Sequence, residues 1–111
     1  MENCLFCKII AGEIPSTKVY EDDKTYAFRD INPMAPVHVL VVPKSHIAGA
    51  AALTAESASV VAHIFEKIPE IAEQLGLSDF RVVTNNGESA GQTVHHLHFH
   101  ILGGRTLGAM G

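Results

Sequence analysis

The sequence predicts an α+β fold: a mainly antiparallel five-stranded sheet, one long helix on one face, and a short helix near the N-terminus. Three observations predict it. A single long apolar stripe recurs at helical spacing between residues 61 and 75. Five short segments read as strands, and the central ones are joined by hairpin-like polar turns. The chain has 111 residues, 47% of them hydrophobic, which suits one domain over 1–111 with a single core.

The elements follow in order. "CLFCKIIAG" reads as a short helical turn closed by Gly12. "KVYEDDKTYAFRD" reads as a hairpin, with Tyr and Phe flanking the polar turn Glu21-Asp22-Asp23-Lys24. "INPMAP" is a loop, because its prolines suit neither a helix nor a central strand. "VHVLVVP" is a buried strand, apolar on both faces except for His38. Thr54 is the expected N-cap of the long helix, with Glu56 in its first turn. Val61, Ile64, Phe65, Ile68, Ala72 and Leu75 share one stripe, and Gly76 is the expected C′ residue. Pro69 lies inside this pattern and is expected to bend or split the helix. "FRVVT" is a strand, "NNGESAGQ" a turn-rich loop, "TVHHLHFHIL" the last strand and "GGRTLGAMG" a loose tail.

Composition excludes some functions. The formal net charge is −4 and no basic stripe is present, which disfavours a nucleic-acid partner. The longest apolar run, Val37 to Pro43, is interrupted by His38 and too short to span a bilayer. "MENCLFCK" lacks the basic and apolar regions of a secretion signal, so a cytoplasmic protein is expected. Two cysteines so close in a reducing compartment make a poor disulfide framework.

The chemistry concentrates in "TVHHLHFHILGG". His96, His98 and His100 alternate with Leu97, Phe99 and Ile101, which is strand periodicity. The three imidazoles then share one face, while His95, Leu97, Phe99 and Ile101 take the other. Alternate residues on a strand stand about 6.5–7 Å apart, so His96 and His100 are about 13 Å apart. A Zn–N bond is only about 2 Å, so a single ion cannot hold all three. At least one imidazole must serve otherwise, as base, acid or nucleophile. Neutral imidazole attacks phosphorus well near pH 7, its unperturbed pKa being about 6.5. The preceding loop adds Gly87 and Gly91, which let a backbone turn its N–H groups inward, and the neutral donors Asn85, Gln92 and Thr93. Alone it is an ordinary turn; ahead of a histidine row it reads as a phosphate cradle. Cys4-x-x-Cys7 is half of a zinc site by itself, with a redox pair or two free thiols as the alternatives.

Together these residues resemble the histidine triad (HIT) family, marked by His-φ-His-φ-His-φ-φ with φ apolar. The motif is complete in His96-Leu97-His98-Phe99-His100-Ile101-Leu102. The resemblance covers nearly the whole chain, from "CLFCKIIAGEIPSTKVYEDDKTYAFRDINPMAPVHVLVVPKSHI" to "GQTVHHLHFHILGGR". It is nearest to the Hint branch, whose members are nucleoside phosphoramidate hydrolases. The resemblance implies that His98 is the nucleophile on the α-phosphorus and that His100 binds phosphoryl oxygens. His38 would complete the cluster behind them. Asn85, Gly91, Gln92 and Thr93 would surround the phosphate, with Thr93 near the leaving group. Phe28 and Ile31 would hold the base, and Asp30 would accept from the ribose hydroxyls. It implies attack by His98 on a purine nucleoside 5′-phosphoramidate, a nucleotidyl-histidine intermediate, then hydrolysis to the monophosphate. No metal is needed at phosphorus, and a histidine rather than glutamine at position 100 favours hydrolysis over transfer. The resemblance also implies structural zinc on Cys4, Cys7, His46 and His96. A homodimer is implied as well, with residues 80–84 and the long helix at its interface. Its alternatives are a dinucleoside polyphosphate hydrolase and a nucleotide-binding module without turnover. His95 faces away and is given no role, and His63 is expected at the surface.

Overall fold

The protein is described by a computed structural model over residues 3–111. Its elements are α1 (Leu5–Ile10), β1 (Lys18–Glu21), β2 (Thr25–Arg29), β3 (Val37–Pro43), α2 (Ala58–Gln74), β4 (Phe80–Val83) and β5 (Phe99–Gly103), with single 3₁₀ turns at Ala50–Ala52 and Glu88–Ala90. The five strands form one sheet in the order β1-β2-β3-β5-β4, antiparallel at every pairing. The expected fold class is the observed one.

Local chemistry explains most boundaries. The Asp22 carboxylate turns the β1–β2 hairpin, with Oδ1 accepting from the backbone N–H groups of Lys24 and Thr25 at 2.8 Å each. Both helices end in the same way. Gly12 and Gly76 take φ of +81° and +72°, and the following N–H reaches back to the helix: Glu13 to the Lys8 carbonyl and Leu77 to the Ala72 carbonyl, both at 2.9 Å. These are glycine caps whose conformation other residues resist.

Three expectations need correction. Pro69 does not split α2, which runs unbroken over 17 residues. Pro69 and Phe65, whose carbonyl loses its partner, both lie on the exposed side, where water can satisfy that oxygen. Thr54 closes a turn one step before the helix proper: its Oγ1 accepts from the Ser57 N–H at 3.1 Å while Ser57 Oγ accepts from the Thr54 N–H at 2.9 Å. The α-helix is then counted from Ala58. The last strand begins at Phe99, not at Thr93. Its ladder with β3 ends at the pair Val41↔Phe99, and the Leu97 N–H leaves the sheet to meet the Ile47 carbonyl at 2.6 Å.

Alternation along the strands divides the interior into two packed layers. Val39, Val41, Phe99 and Ile101 face α2, against Ile64, Ile68 and Ile71. Leu40, Val42, Tyr26 and Phe28 face the other way, against Phe6 and Ile9 of α1. The register pairs His38 with Leu102 and Leu40 with His100, which puts His38 and His100 on the α1 side.

Candidate active site

Three imidazoles meet on the α1 side of the sheet. The His98 and His100 ring centroids are 5.0 Å apart and those of His38 and His100 are 5.1 Å apart. His38 arrives from β3 and His100 from β5, so long-range pairing assembles the site.

Hydrogen bonds decide which nitrogen carries each proton. The His98 Nδ1 lies 2.7 Å from the His96 carbonyl, which can only accept, so Nδ1 holds the hydrogen and Nε2 keeps a lone pair. The Met34 N–H donates to His38 Nδ1 at 3.0 Å, so His38 carries its hydrogen on Nε2. That Nε2–H donates to His100 Nδ1 at 2.9 Å, which leaves His100 an N–H at Nε2 for an incoming oxygen. Asp30, His38 and His100 also lie close enough to suggest a cation. The Met34 bond argues against one, because it leaves His38 Nε2 without a free lone pair.

Burial keeps these rings uncharged. It is the largest cause for each. Burial pushes His98 down against the opposing pull of the His96 carbonyl and of Asp30. It pushes His38 down against Asp30. His100 is carried to about 4 by burial, reinforced by His98 and His38.

The remaining expected residues are placed unequally. Asn85 lines a cleft of about 630 Å³ together with His38, His100, Thr84 and Met34. His98 is 5% exposed, with its ring 5.0 Å from that of His100, and is not among the residues that border this cleft. Gly91 has φ +105°, a left-handed conformation, and a Cβ there would stand 3.4 Å from the Asn85 amide nitrogen. The Gln92 side chain is committed to the loop itself. It donates to the carbonyls of Ala48 at 2.7 Å and Val94 at 3.1 Å and accepts from the Gly87 N–H at 2.9 Å. The N–H groups of Ala90, Gly91 and Gln92 also close onto carbonyls of Gly87 and Glu88. Gly91 and Gln92 therefore shape the loop; they are not the inward-turned donors the sequence suggested. Thr93 is exposed and borders a different cleft of about 570 Å³, with Leu5, His46 and Val94. Asp30 Oδ1 accepts from the Asn32 N–H at 2.8 Å, and its Oδ2 is 3.4 Å from His38 Nε2. Phe28 is buried against Phe6, whereas Ile31 is 91% exposed, so the two are not brought into one pocket wall.

The fourth group is separate. Cys4, Cys7, His46 and His96 each turn one ligand atom inward, all within 4.8 Å of one another. The contacts are Cys4 Sγ to His96 Nδ1 at 3.4 Å, Cys7 Sγ to His46 Nδ1 at 3.3 Å and Cys7 Sγ to His96 Nδ1 at 3.5 Å. A tetrahedral zinc ion with ordinary bond lengths separates sulfur and nitrogen ligands by about 3.5 Å. His96 Nε2–H donates to the Pro43 carbonyl at 2.8 Å, which frees Nδ1 as a ligand. Donor chemistry and spacing therefore both fit zinc.

Several contributors carry no signal in the sequence. Thr84 Oγ1 donates to the His98 carbonyl at 2.7 Å, although it ends a segment that reads only as a strand. Phe6, between the two cysteines, packs edge-on to His98 at 5.0 Å and 90°. The tail is not loose: Arg81 holds the Gly108 carbonyl at 3.0 Å, and Ala109 and Met110 border the His100 cleft. His63 is half-buried, 2.8 Å from Asp22 Oδ2, rather than a free surface residue. His95 is exposed, as expected.

Known proteins share this arrangement over most of its length. The family described as the HIT domain matches residues 11–107. An uncharacterised HIT-like protein of Synechocystis is 52% identical over 105 residues, covering 94% of this chain and 92% of that one. A 14 kDa zinc-binding protein of Zea mays is 46% identical, covering 93% and 83%. The purine nucleoside phosphoramidase of Escherichia coli K12 is 42% identical, covering 98% and 93%. Among solved structures, a HIT family hydrolase from Clostridium thermocellum superposes with a TM-score of 0.95 at 48% identity, covering 99% and 97%.

Proposed function

The chain belongs to the HIT domain family, and on that footing we propose that it hydrolyses purine nucleoside 5′-phosphoramidates in the manner of the Hint branch. The observation that carries the reading is the pair of opposite tautomers side by side: a lone pair on His98 Nε2 and an N–H on His100 Nε2. One is a nucleophile at neutral pH and the other a donor for a phosphoryl oxygen.

In this reading His98 Nε2 attacks the α-phosphorus. The P–N bond breaks, the amine leaves with a proton, and a nucleotidyl-histidine forms. Water then attacks that phosphorus and releases the nucleoside monophosphate and neutral His98. His100 Nε2–H holds the equatorial oxygens, with Asn85 beside it; Thr93, which borders the other cleft, serves the leaving group only if its loop moves toward His100. Gly91 and Gln92 act by holding Asn85 and the loop in place. His38 keeps the His100 hydrogen on the outward nitrogen. Asp30 takes the ribose hydroxyls, and Phe28 and Ile31 flank the base; closure of the exposed Ile31 over the nucleoside is required for that. Preorganised donors supply most of the rate enhancement in such transfers.

Cys4, Cys7, His46 and His96 would hold structural zinc, which ties the N-terminal turn to the sheet and takes no part at phosphorus. The remaining parts of the proposal are a single domain over 1–111, a cytoplasmic location where the thiols stay reduced, and a homodimer. Among the described residues no helix is long and apolar enough to cross a membrane. β4 is an edge strand, and Phe65 on α2 and Phe80 on β4 are each exposed, which suits a partner subunit.

The test offers adenosine 5′-phosphoramidate and diadenosine polyphosphate to the wild type and to His98→Ala, following AMP. Turnover of the phosphoramidate, abolished by the substitution, is expected. Equal turnover in both proteins removes His98 from its role, and turnover of the polyphosphate alone moves the chain to a neighbouring branch. Zinc should copurify; metal-free protein with both cysteines open to thiol reagents would end the zinc assignment.

A further inference from the structure

Arg81 is a cation without a counter-charge beside the candidate site. It is half-buried and forms no salt bridge among the described residues. Nη2 donates to the Gly108 carbonyl at 3.0 Å, which anchors the guanidinium at the tail and leaves most of its N–H groups free. Arg81 borders the cleft that His38, Asn85 and His100 share. It is the sole cation in that lining, because burial keeps both imidazoles uncharged, and no carboxylate lines the cleft. Val83 and Leu102 give the same lining an apolar part.

Strand register fixes where Arg81 stands relative to the other site residues. On the α1 side of the sheet one row runs Phe28, Leu40, His100 and Val83, one residue from each of four adjacent strands. The next row runs Asp30, His38, Leu102 and Arg81: His38 pairs with Leu102, Leu102 with Arg81, and the Asp30 N–H meets the His38 carbonyl at 3.0 Å. Asp30 and Arg81 therefore close the two ends of one row, three strand spacings or about 14 Å apart. One end carries the carboxylate assigned to the ribose and the other a guanidinium, with His100 between them on the strand next to Arg81. The direction along β5 agrees. His98 precedes His100 and Leu102 follows it, so a group displaced in line by His98 departs toward Leu102 and Arg81.

We propose that Arg81 is a specificity-determining residue of this site: it takes the carboxylate of an amino acid whose nitrogen is bonded to phosphorus and leaves on hydrolysis. This rests on the reading of His98 as nucleophile and of Asp30 as ribose acceptor. A carboxylate suits a guanidinium because its two oxygens match two parallel N–H donors. Val83 and Leu102 suit the carbon that joins nitrogen to carboxylate, together with an apolar side chain on it. Diagonal neighbours on paired strands stand about 7–8 Å apart, within reach of an arginine side chain, so Arg81 can meet a short substituent on a phosphorus held at His100. In the reaction the P–N bond breaks and a P–O bond to water replaces it by way of His98. Both hydrogens of that water end on the amine nitrogen, and the amino acid leaves as its zwitterion. Arg81 also offsets the repulsion between the carboxylate and the phosphoryl oxygens, which an amide in its place would not suffer.

The experiment gives full-length protein two adenosine 5′-phosphoramidates that differ at one group, N-linked leucine and N-linked leucinamide, and follows AMP at low and high salt. Wild type should favour the leucine compound in kcat/KM by about tenfold at low salt. The preference should shrink at high salt, as for a partly exposed ion pair. Arg81→Gln should bring the ratio to about one or below, and Arg81→Lys should keep part of it, since lysine offers the charge without the fork. The ratio is the readout, because loss of the Gly108 contact would lower both rates together. Equal handling of the two compounds by the wild type overturns the proposal, whether or not any variant folds. So does a ratio unchanged in Arg81→Gln, which would leave Arg81 as an anchor of the tail alone. Diadenosine polyphosphate cleaved faster than both, with the same dependence on Arg81, would put a phosphate at this position and overturn the carboxylate. If the wild type cleaves none of these compounds, the functional reading fails. The ratio of the two phosphoramidates' dissociation constants in wild type and Arg81→Gln, from calorimetry, then decides the Arg81 claim.

Discussion

His100 is the residue whose surroundings are most readily tested. Its ring accepts from His38 and is held at a pKa of about 4 against an ordinary value of 6.5. Between those values the unfolded chain binds a proton that the folded chain refuses. Folding stability is therefore complete above pH 6.5 and falls as pH drops toward 4. Urea midpoints across that window should fall more steeply for the wild type than for His100→Gln; parallel curves would show that His100 is not the group responsible. For the reaction, burial also pushes His98 below the usual histidine value, so kcat/KM should hold up on the acid side of that value before declining. His100→Gln should slow cleavage while leaving nucleotide affinity nearly intact. Weakened binding with an unaltered rate constant would instead make His100 a ground-state contact.

At the level of elements, the β1–β2 hairpin and α2 are joined by a polar link that periodicity does not reveal. Burial alone would raise the Asp22 carboxyl, but hydrogen bonds from the Lys24 N–H, His63, Tyr20 and the Thr25 N–H hold it well below the usual carboxylate range. Its contribution is present above the ordinary aspartate value and is lost as pH falls through the folded one. Asp22→Asn keeps the shape and removes the charge, and should cost about 1–2 kcal/mol in urea unfolding at neutral pH. No change would mean that the carboxylate merely caps the turn. Within α2, Pro69 sits on the exposed face of an unbroken helix. Pro69→Ala restores a backbone donor to the Phe65 carbonyl and should stabilise the protein by about 1 kcal/mol, the helix gain being offset partly by a freer unfolded chain. Loss of stability would show that the proline ring packs usefully.

For the whole molecule, the open edge strand β4 with its exposed Phe80, and the exposed Phe65 of α2, lead to a statement about assembly. Sedimentation equilibrium should give twice the chain mass at micromolar concentration, and Phe65→Glu combined with Phe80→Glu should give the monomer with an unchanged far-ultraviolet spectrum. A wild-type monomer under those conditions would remove the partner subunit from the proposal. The overall arrangement also explains why chemistry sits where it does. β3 and β5 are adjacent and central, so His38 and His100 meet although 62 positions separate them.

Alternation and spacing alone specified much of this protein, because they report which side of an element is apolar. The strand Val37–Pro43, the glycine ends at Gly12 and Gly76, and the separation of His96, His98 and His100 from Leu97, Phe99 and Ile101 were all readable there. The gathering of the two cysteines with His46 and His96 followed from the family resemblance and needed coordinates to test its spacing. Only the tertiary structure decided that β5 starts at Phe99, that Gln92 is consumed within its loop, that α2 continues through Pro69, and that Phe6 and the His96 carbonyl frame His98. The reason is physical. Apolar patterning is a property of neighbouring residues in the chain, whereas a hydrogen bond or ring contact depends on partners that only folding brings within reach.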